Sequence, residues 1–507
     1  MQLPRIPESC QRLVADVFVI IVRHQRLISC VLIIGCLLIP ADSTAEERPN
    51  VVVLLADDLG YNGLGCFGSD LYETPNLDRL AMQGMRFTDA YSACTVCSPT
   101  RASVMTGLYP ARLHLTDFIA GQNRPDEPVL PPAWTKYLPH ETTTIAEVLR
   151  DAGYSSAQVG KWHLNPRNDR KREYDPTDHG FDVQVLKPPA KGYFLRANDQ
   201  LGISEGEYLT EYLTDQAVNL IQKWQDRPFF LYMAYHVPHT PIQAPADLVK
   251  RYEQILEERD TPDAVHKNAV YAAMVHQLDV SVGRILEQLE SSGISDRTIV
   301  WFTSDNGGLT HRYGPETGFT DNSPLRRGKG SAYEGGIRVP LIVRWPGHVP
   351  AGKVCETPVS TIDILPTVME LAGVTQTIPT DGVSLRPVLT QRKAKLLRSE
   401  LYWHYPHYHA GGDGPHGIVR SGDWKLIERY DGQPVELYNL RNDLSESRNL
   451  AAINPEVTTR LTQLLADWRK EVNAQMPIPN PQADPKRAKA VVERNLRQLQ
   501  RETNSSR

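Results

Sequence analysis

Residues 50–58 read NVVVLLADD, an almost unbroken apolar run that ends in two carboxylates, Asp57 and Asp58. A run of this kind is typical of a strand buried on both faces, as in a parallel sheet. Similar runs recur at residues 229–235, 298–303 and 340–345. Helical patterns lie between these runs, and the alternation predicts an α/β fold with a mostly parallel central sheet flanked by helices.

Three stretches between the apolar runs carry helix signals. Residues 144–152 contain Thr144 and Glu147 at the spacing of a capping box. Residues 269–291 have a long amphipathic pattern, and residues 365–372 stop before Gly373. We therefore expect helices at these three places.

The sequence changes character near Thr390. Residues 401–417 are crowded with Tyr, His, Gly and Pro, and turn residues then separate short β-rich stretches. The predicted elements are strands at 418–420, 424–430 and 435–440 and a helix at 455–472. The expected organisation is a large α/β domain over 46–389, a smaller α+β domain over 390–475, and a peripheral helix or tail over 476–507.

Polar and ionisable residues follow four of the predicted strands. They are Asp57 and Asp58 after the first run, Lys161 and His163 after a run at 156–159, His236 after the run at 229–235, and Asp305 and Asn306 after the run at 298–303. In open α/β sheets, functional sites form at the carboxyl ends of the strands. We therefore expect these side chains to meet at one edge of the sheet.

The chain has 507 residues, of which 41% are hydrophobic and 23% charged, with a formal net charge of −5. These values are ordinary for a soluble globular protein. They provide no global basic field for nucleic acid or an anionic membrane surface, so neither is expected as a partner. An anionic substrate would have to be held by locally placed cations.

Residues 1–45 have the pattern of a secretory signal peptide: a charged lead at 23–26, an apolar run at 27–39, and small residues before a cleavage point after about Ala45. The mature protein would then be secreted or periplasmic. An uncleaved membrane anchor and a lipoprotein joined at Cys36 also fit this segment, and membrane contact is expected only if the segment is uncleaved.

Four cysteines would remain after cleavage, which is too few for a disulfide framework. They are Cys66, Cys94, Cys97 and Cys355. If Cys97 is chemically modified, at most one disulfide can form among the other three, and the sequence does not choose the pair.

The sharpest motif is CSPTR at residues 97–101, followed by Thr106-Gly107. Pro99 suits the first turn of a helix, which places Cys97 at its start. Arg101 lies one turn further and can share a face with Cys97. A helix start and a guanidinium group both favour anions, so the motif combines a nucleophile with an anion-binding position. On spacing alone, a buried cysteine before an ordinary helix fits equally well.

Cys-x-Pro-x-Arg followed by Thr-Gly resembles the signature of the type I, formylglycine-dependent sulfatases. The resemblance extends from about Asn50 to Leu450 and includes the motifs at 56–58, 160–163, 235–239, 304–308 and 328–330. It implies the alkaline-phosphatase-like α/β fold and the activity of a sulfuric ester hydrolase of the arylsulfatase kind. It also implies that a formylglycine-generating enzyme converts Cys97 to formylglycine (3-oxoalanine), whose hydrate attacks the sulfate ester.

The resemblance further implies a role for each matching residue. The implied ligands of a calcium ion are Asp57, Asp58, Cys97, Asp305 and Asn306, in keeping with the oxygen ligands that this cation prefers. The implied catalytic residues are Cys97, Arg101, Lys161, His163, His236, Asp305 and Lys329. In this scheme Asp305 accepts a proton from the nucleophile, His163 assists the second hydroxyl, and His236 protonates the leaving group.

The predicted substrate is a sulfated carbohydrate, with aryl sulfates as simpler substitutes. The predicted substrate-binding residues are Arg101, Lys161, His236, Lys329, His404 and His407. Further residues in predicted loops could also line the pocket: His114, His239, His311, Arg312, His409 and His416. Two other functions stay open: a phosphonate or phosphate ester hydrolase of the same superfamily, and a secreted sulfoglycan-binding protein if Cys97 remains a thiol.

Overall fold

The apolar run at 50–56 forms strand β1 (Asn50–Ala56), and all of its residues are buried. The computed structural model describes residues 48–259, 264–310, 319–390, 395–409, 413–490 and 493. The expected signal peptide over 1–45 lies outside the described residues. So do His311 and Arg312, two of the suggested pocket residues.

Strand β1 lies inside a sheet to which seven further strands belong within the described residues. They are β2 (Met85–Phe87), β3 (Ser155–Gly160), β4 (Val183–Val185), β5 (Phe229–Ala234), β6 (Thr298–Ser304), β7 (Leu341–Arg344) and β8 (Lys353–Cys355). Their spatial order is β8-β2-β7-β6-β1-β5-β3-β4. Strand β7 is antiparallel to both of its neighbours, and the other pairings are parallel. The prediction of a mostly parallel sheet is confirmed.

Helices cover both faces of this sheet. The helices of the described residues are α1 (Pro75–Gln83), α2 (Cys97–Thr106), α3 (Pro110–Leu113), α4 (Ile145–Asp151), α5 (Leu209–Trp224), α6 (Ala246–Glu258), α7 (Ala269–Ser291), α8 (Glu334–Ile337), α9 (Ile364–Leu371), α10 (Arg386–Thr390) and α11 (Pro455–Glu471). Alternate residues of β1 point to opposite faces. Val52 and Leu54 therefore pack with α1, α5 and α7, whereas Val51 and Val53 pack with α2, α4 and α9.

The three helices predicted within the large domain are present as α4, α7 and α9. The capping box of α4 is complete. The Thr144 hydroxyl accepts from the Glu147 N–H, and the Glu147 carboxylate accepts from the Thr144 N–H. The capping-box pattern therefore predicted the start of this helix correctly.

A second, antiparallel sheet lies in the C-terminal part of the chain. Its strands, in spatial order, are β9 (Glu400–Tyr405), β10 (His416–Ser421), β11 (Trp424–Arg429) and β12 (Glu436–Asn439). The predicted strands correspond to β10, β11 and β12. Strand β9 is a correction, because no strand was predicted within residues 401–417. Leu401, Trp403 and Tyr405 alternate toward the interior, a period-2 pattern that the intervening aromatic and His residues hide.

The described residues from Arg48 onward group in one compact unit, so the expected boundary at 389/390 stays a prediction. Helix α11 packs its Leu461, Leu465 and Trp468 against the second sheet. Part of the expected tail is ordered against the large domain, where Ile478–Pro479 pairs with Val129–Leu130. Among the described residues, no helix is both long enough and apolar enough to cross a membrane.

Candidate active site

The carboxyl ends of four neighbouring parallel strands meet at one edge of the large sheet. The last residue of β1, Ala56, pairs with Ser304 of β6, and its neighbour Leu55 pairs with Ala234 of β5. Ala234 also pairs with Gly160 at the end of β3. Because the four strands end in register, the polar residues that follow them converge, as the sequence predicted.

Three buried carboxylates at this edge pair with three cations, of which Arg101 and Lys329 are buried and Lys161 is partly exposed. Lys161 Nζ lies 2.5 Å from Asp57 Oδ2, and Lys329 Nζ lies 2.6 Å from Asp58 Oδ1. The Arg101 guanidinium donates through Nε and Nη2 to Asp305 Oδ2, at 2.9 and 2.7 Å. Lys329 lies in the loop between β6 and α8, so one residue of the site does not directly follow a strand.

The cations decide the protonation of two of these carboxylates. Burial alone would raise the pKa of Asp57, but the charges of Lys161, His239 and Arg101 outweigh it, and the pKa lies well below its ordinary value. Burial would also raise the pKa of Asp58, but the charges of Lys329, His239 and Lys161 together lower it below its ordinary value. At Asp305, burial and the charge of Asp57 raise the pKa to about 6.

Cys97 lies at the first residue of α2 and is only 2% exposed. Its Sγ is 3.2 Å from Lys329 Nζ. Burial raises the pKa of the thiol to about 12, although Lys161 and Lys329 act in the opposite direction. An unmodified Cys97 is therefore a protonated thiol and a weak nucleophile at neutral pH.

Several oxygens in the site are buried and have no hydrogen-bond partner among the described residues. They are Asp57 Oδ1, Asp58 Oδ2 and Asn306 Oδ1. One ligand atom from each of Asp57, Asp58, Cys97 and His239 also lies within 4.8 Å of all the others. Unsatisfied buried oxygens are costly, and a hard cation binds groups of this kind. The oxygens of Asp57, Asp58 and Asn306 therefore fit a hard cation.

Asp305 differs from the other predicted ligands, because both of its oxygens are already engaged. Oδ2 accepts from Arg101, and Oδ1 accepts from the Asp58 N–H at 3.2 Å. Its role as a metal ligand stays a prediction.

His239 belongs to this centre, although the sequence predicted it only as a possible pocket residue. Its Nε2 lies 3.7 Å from Asp58 Oδ2, and its side chain is 31% exposed. His236, the predicted general acid, has a buried Nδ1 without a partner among the described residues. The main-chain carbonyls of both histidines accept hydrogen bonds from the Tyr193 hydroxyl. The family motif at 235–239 contains both His236 and His239, and it does not tell which of them lies beside Asp58.

The backbone at His163 is not extended, since its φ is +60°. In an extended segment the side chains of Lys161 and His163, two residues apart, would point the same way, and that prediction does not apply here. Its Nε2 lies 2.5 Å from the carbonyl oxygen of Ile119, and its Nδ1 has no partner among the described residues. Burial, then the charge of Lys161, lowers the pKa of His163 well below its ordinary value.

Comparison with known proteins agrees with this geometry. A family model described as "Sulfatase" matches residues 49–374, and one described as "N-sulphoglucosamine sulphohydrolase, C-terminal" matches residues 328–471. A protein named "Sulfatase" from Formosa agariphila is 33% identical over 85% of this chain and 90% of its own length.

This chain belongs to the sulfatase family. Like its named relatives, it is a sulfuric ester hydrolase. Human N-acetylgalactosamine-6-sulfatase is 33% identical to it, over 71% of this chain and 69% of the human protein. The solved structure of Ps i-CgsB in complex with k-i-k-neocarrahexaose superposes with a TM-score of 0.67 at 29% identity, covering 89% of this chain and 98% of that one. These likenesses also support the alkaline-phosphatase-like fold.

Three predicted substrate-binding residues of the sulfatase have protein partners instead. The Arg101 side chain is fully buried and donates to Asp305 and to the Lys161 carbonyl. Both ring nitrogens of the buried His404 are engaged, by Tyr430 and by the Gln475 carbonyl. His407 is also buried and contacts Thr116. Substrate binding by these three stays a prediction that their contacts do not favour.

The four described cysteines of the sulfatase are free thiols: Cys66, Cys94, Cys97 and Cys355. The single disulfide that the sequence allowed is therefore absent among the described residues. Cys94 and Cys97 are both buried, whereas Cys66 and Cys355 are partly exposed.

Proposed function

We propose that this sulfatase hydrolyses sulfate monoesters of carbohydrates, and aryl sulfates as well, with formylglycine made from Cys97 and a calcium ion at the adjoining carboxylates. One observation carries the proposal. Cys97 Sγ lies beside Lys329 at the start of a buried helix, within reach of oxygens that have no other partner. A nucleophile, a cation and metal ligands therefore converge at one point.

Charge balance supports a metal ion together with an anionic substrate. Three carboxylates face three cationic side chains at the site, so their formal charges cancel. A sulfate monoester adds a negative charge, which is costly in a buried site unless a cation accompanies it. Asp57, Asp58 and Asn306 would hold that cation. Calcium would supply stabilisation of negative charge on the sulfate and a lowered pKa for a nearby hydroxyl.

Formylglycine would supply a hydrated aldehyde with two hydroxyl groups, one to attack sulfur and one to release the sulfate afterward. A thiol offers no second hydroxyl, and Cys97 as a thiol is a weak nucleophile. A formylglycine-generating enzyme is therefore part of the proposal, as the partner that matures the chain.

The side chains around Cys97 have separate tasks in this proposal. Lys329 and Lys161 bind sulfate oxygens, since both ammonium groups lie at the centre and act electrostatically on Cys97. Asp305, fixed by Arg101, accepts a proton from the nucleophile. The unprotonated Nδ1 of His163 accepts the second proton.

Two histidines are candidates for the general acid that protonates the leaving group. His236 is the residue that the sequence predicted. His239 is favoured by geometry, because its Nε2 faces Asp58 and its side chain reaches the solvent-accessible side of the centre. We propose His239 for this role and keep His236 as the alternative.

The carbohydrate substrate is supported by the relatives. One is named N-acetylgalactosamine-6-sulfatase, and one solved structure holds k-i-k-neocarrahexaose. Export by cleavage after about Ala45 is also part of the proposal, and N-terminal sequencing of protein recovered outside the cytoplasm tests it. An N-terminus upstream of 45 on membrane-bound protein would favour the anchor.

Peptide mass spectrometry across Cys97, paired with sulfate release from an aryl sulfate, tests the central claim. We expect a mass loss that matches thiol-to-aldehyde conversion in protein from the native host, and no release from Cys97→Ala. An aryl phosphonate assayed side by side tests the phosphonate alternative. A complete, unmodified thiol without turnover would contradict the mechanism and favour the sulfoglycan-binding alternative.

Calcium removal tests the metal site independently of turnover. A cation that binds only the folded chain stabilises it, by about 2.7 kcal/mol at a hundredfold excess over Kd. We expect calcium to raise the melting temperature of EDTA-treated wild type and to leave Asp58→Ala unchanged. Asp151→Ala, at a side chain 59% exposed, is the matched control and should respond like wild type. An equal calcium response in Asp58→Ala would exclude Asp58 as a ligand.

A further inference from the structure

The tautomer of His163 is determined by one main-chain carbonyl. A carbonyl oxygen can only accept a hydrogen bond, so the 2.5 Å contact with Ile119 requires that His163 Nε2 carry the proton. The lone pair then resides on Nδ1, which is buried and has no partner among the described residues. The position of the Ile119 carbonyl therefore decides which ring nitrogen can accept a proton.

The Ile119 peptide is hydrogen-bonded to the helix that begins with the nucleophile, Cys97. Its N–H donates to Ser98 Oγ at 3.1 Å, and Ser98 directly follows Cys97 in helix α2. One residue, Ile119, thus connects the start of the nucleophile's helix with the ring of His163. A shift of this segment would move His163 relative to Cys97.

The same segment is held from the other side by a buried carboxyl group. Asp117 Oδ1 accepts the N–H of Phe118 at 2.9 Å, and the Gln122 N–H also contacts this carboxyl group. Asp117 is 1% exposed, and burial raises its pKa to about 7. Its side chain therefore closes the turn that contains Ile119.

Asp117 is in turn held by the C-terminal sheet. The Tyr405 hydroxyl, at the end of β9, donates to Asp117 Oδ1 at 2.9 Å. The Tyr405 ring packs against Cys94 and Val96, which precede Cys97 in the chain. His407 completes the contact, with its Nε2 2.8 Å from the Thr116 hydroxyl.

We propose that Asp117 and Tyr405 are positioning residues, which fix the orientation and tautomer of His163 through the Ile119 carbonyl. This inference rests on the proposed function, in which His163 accepts a proton. It gives the C-terminal sheet a task in proton transfer at the active site of the large sheet. It also gives His407 a place in the structure other than substrate binding.

A double-mutant cycle on sulfate release tests the inference. If Asp117 acts through His163, Asp117→Ala lowers kcat about tenfold to hundredfold with KM within about twofold, as expected for a misplaced base. Adding Asp117→Ala to His163→Ala then causes little further loss. Asp117→Asn retains an acceptor for Phe118 and Tyr405, and we expect it to recover most of kcat.

Tyr405→Phe is the milder second variant, since it keeps the ring against Cys94 and removes only the hydroxyl. It should lower kcat when it is made alone and cause little further loss when it is added to His163→Ala. Tyr402→Phe is the matched control in the same strand, where the ring stacks on Trp468 at 4.8 Å, and it should behave as wild type.

The outcomes separate the inference from the proposed function. Absence of sulfate release from wild type, or full activity of His163→Ala, would overturn the role of His163 itself. Losses from Asp117→Ala and His163→Ala that multiply in the double variant would show that Asp117 acts independently of His163. Unchanged kcat in both Asp117→Ala and Tyr405→Phe would also overturn the inference.

Discussion

Arg101 shows how one buried side chain can organise the site. Its guanidinium group donates twice to Asp305 and once to the Lys161 carbonyl, so it connects helix α2 with the ends of β6 and β3. It is fully buried, and its geometry needs a planar fork of donors. A lysine cannot reproduce these contacts, although it keeps the charge.

We therefore expect Arg101→Lys to lower kcat for sulfate release at least about tenfold. It should also lower the free energy of unfolding by about 3 kcal/mol, because Asp305 would remain buried without its bidentate partner. Urea denaturation and steady-state kinetics measure the two effects. Arg112→Lys is the matched control: Arg112 also forks onto a carboxylate, Asp381, but its side chain is 34% exposed, and the loss should stay below about 1 kcal/mol. Equal stability losses at both positions would contradict this account.

Most of the centre was predictable at the level of single residues because the chemistry is local in sequence. Asp57 and Asp58 follow a strand directly, and Cys97 has a helix-start motif. The Ile119 carbonyl was not predictable, because a main-chain acceptor has no side-chain signal. His239 lies in the family motif at 235–239 together with His236, and the motif does not tell which histidine lies beside Asp58.

At the level of elements, helix α4 is the clearest link between sequence and stability. The Thr144 hydroxyl accepts from the Glu147 N–H and donates to the His179 carbonyl at 2.8 Å. Thr144→Ala should therefore lower the free energy of unfolding by about 1 kcal/mol or slightly more. Because α4 lies outside the centre, kcat should not change.

Urea denaturation with a parallel kinetic assay checks the Thr144→Ala prediction. Thr142→Ala, two residues earlier and not a cap, is the control and should unfold like wild type. A change in kcat without a change in stability would mean that α4 affects the site in a way that its cap does not explain.

Strand β9 explains why the second sheet was only partly predicted. Its buried positions are Leu401, Trp403 and Tyr405 and also His404, whereas Tyr402 is partly exposed. Because aromatic and His residues occupy both sets of alternate positions, the sequence shows no polar and apolar alternation. The neighbouring β10 and β11 carry clear hairpin residues between them, and those strands were found.

At the level of the whole molecule, buried charges join the second sheet to the large domain. Lys425 Nζ on β11 lies 2.9 Å from Glu334 at the start of α8, and 2.8 Å from Glu446. Glu334 also accepts from Tyr91 and Arg338. A network of this kind fixes the second sheet relative to the large domain, because any displacement would leave charges buried without partners. No local sequence pattern predicts such a network, since its members are far apart in the chain.

Buried neutral histidines also affect the acid stability of the whole molecule. Burial lowers the pKa of His404 to about 4, whereas an unfolded histidine titrates near ~6.5. The unfolded chain thus binds this proton at a higher pH than the folded chain. The stability contribution is complete above pH ~6.5 and is lost as the pH falls toward 4, at about 1.4 kcal/mol per pH unit.

Replacing this histidine by a residue that does not titrate should remove its share of the acid sensitivity. We expect the unfolding free energy of His404→Gln, relative to wild type, to improve by about 2 kcal/mol between pH 7.5 and pH 5. Urea denaturation in EDTA at both values measures this difference without a contribution from metal release. Comparison at pH 7.5 isolates the cost of losing the contacts with Tyr430 and the Gln475 carbonyl. A relative stability that does not depend on pH would show that His404 takes up its proton in the folded chain as readily as in the unfolded one.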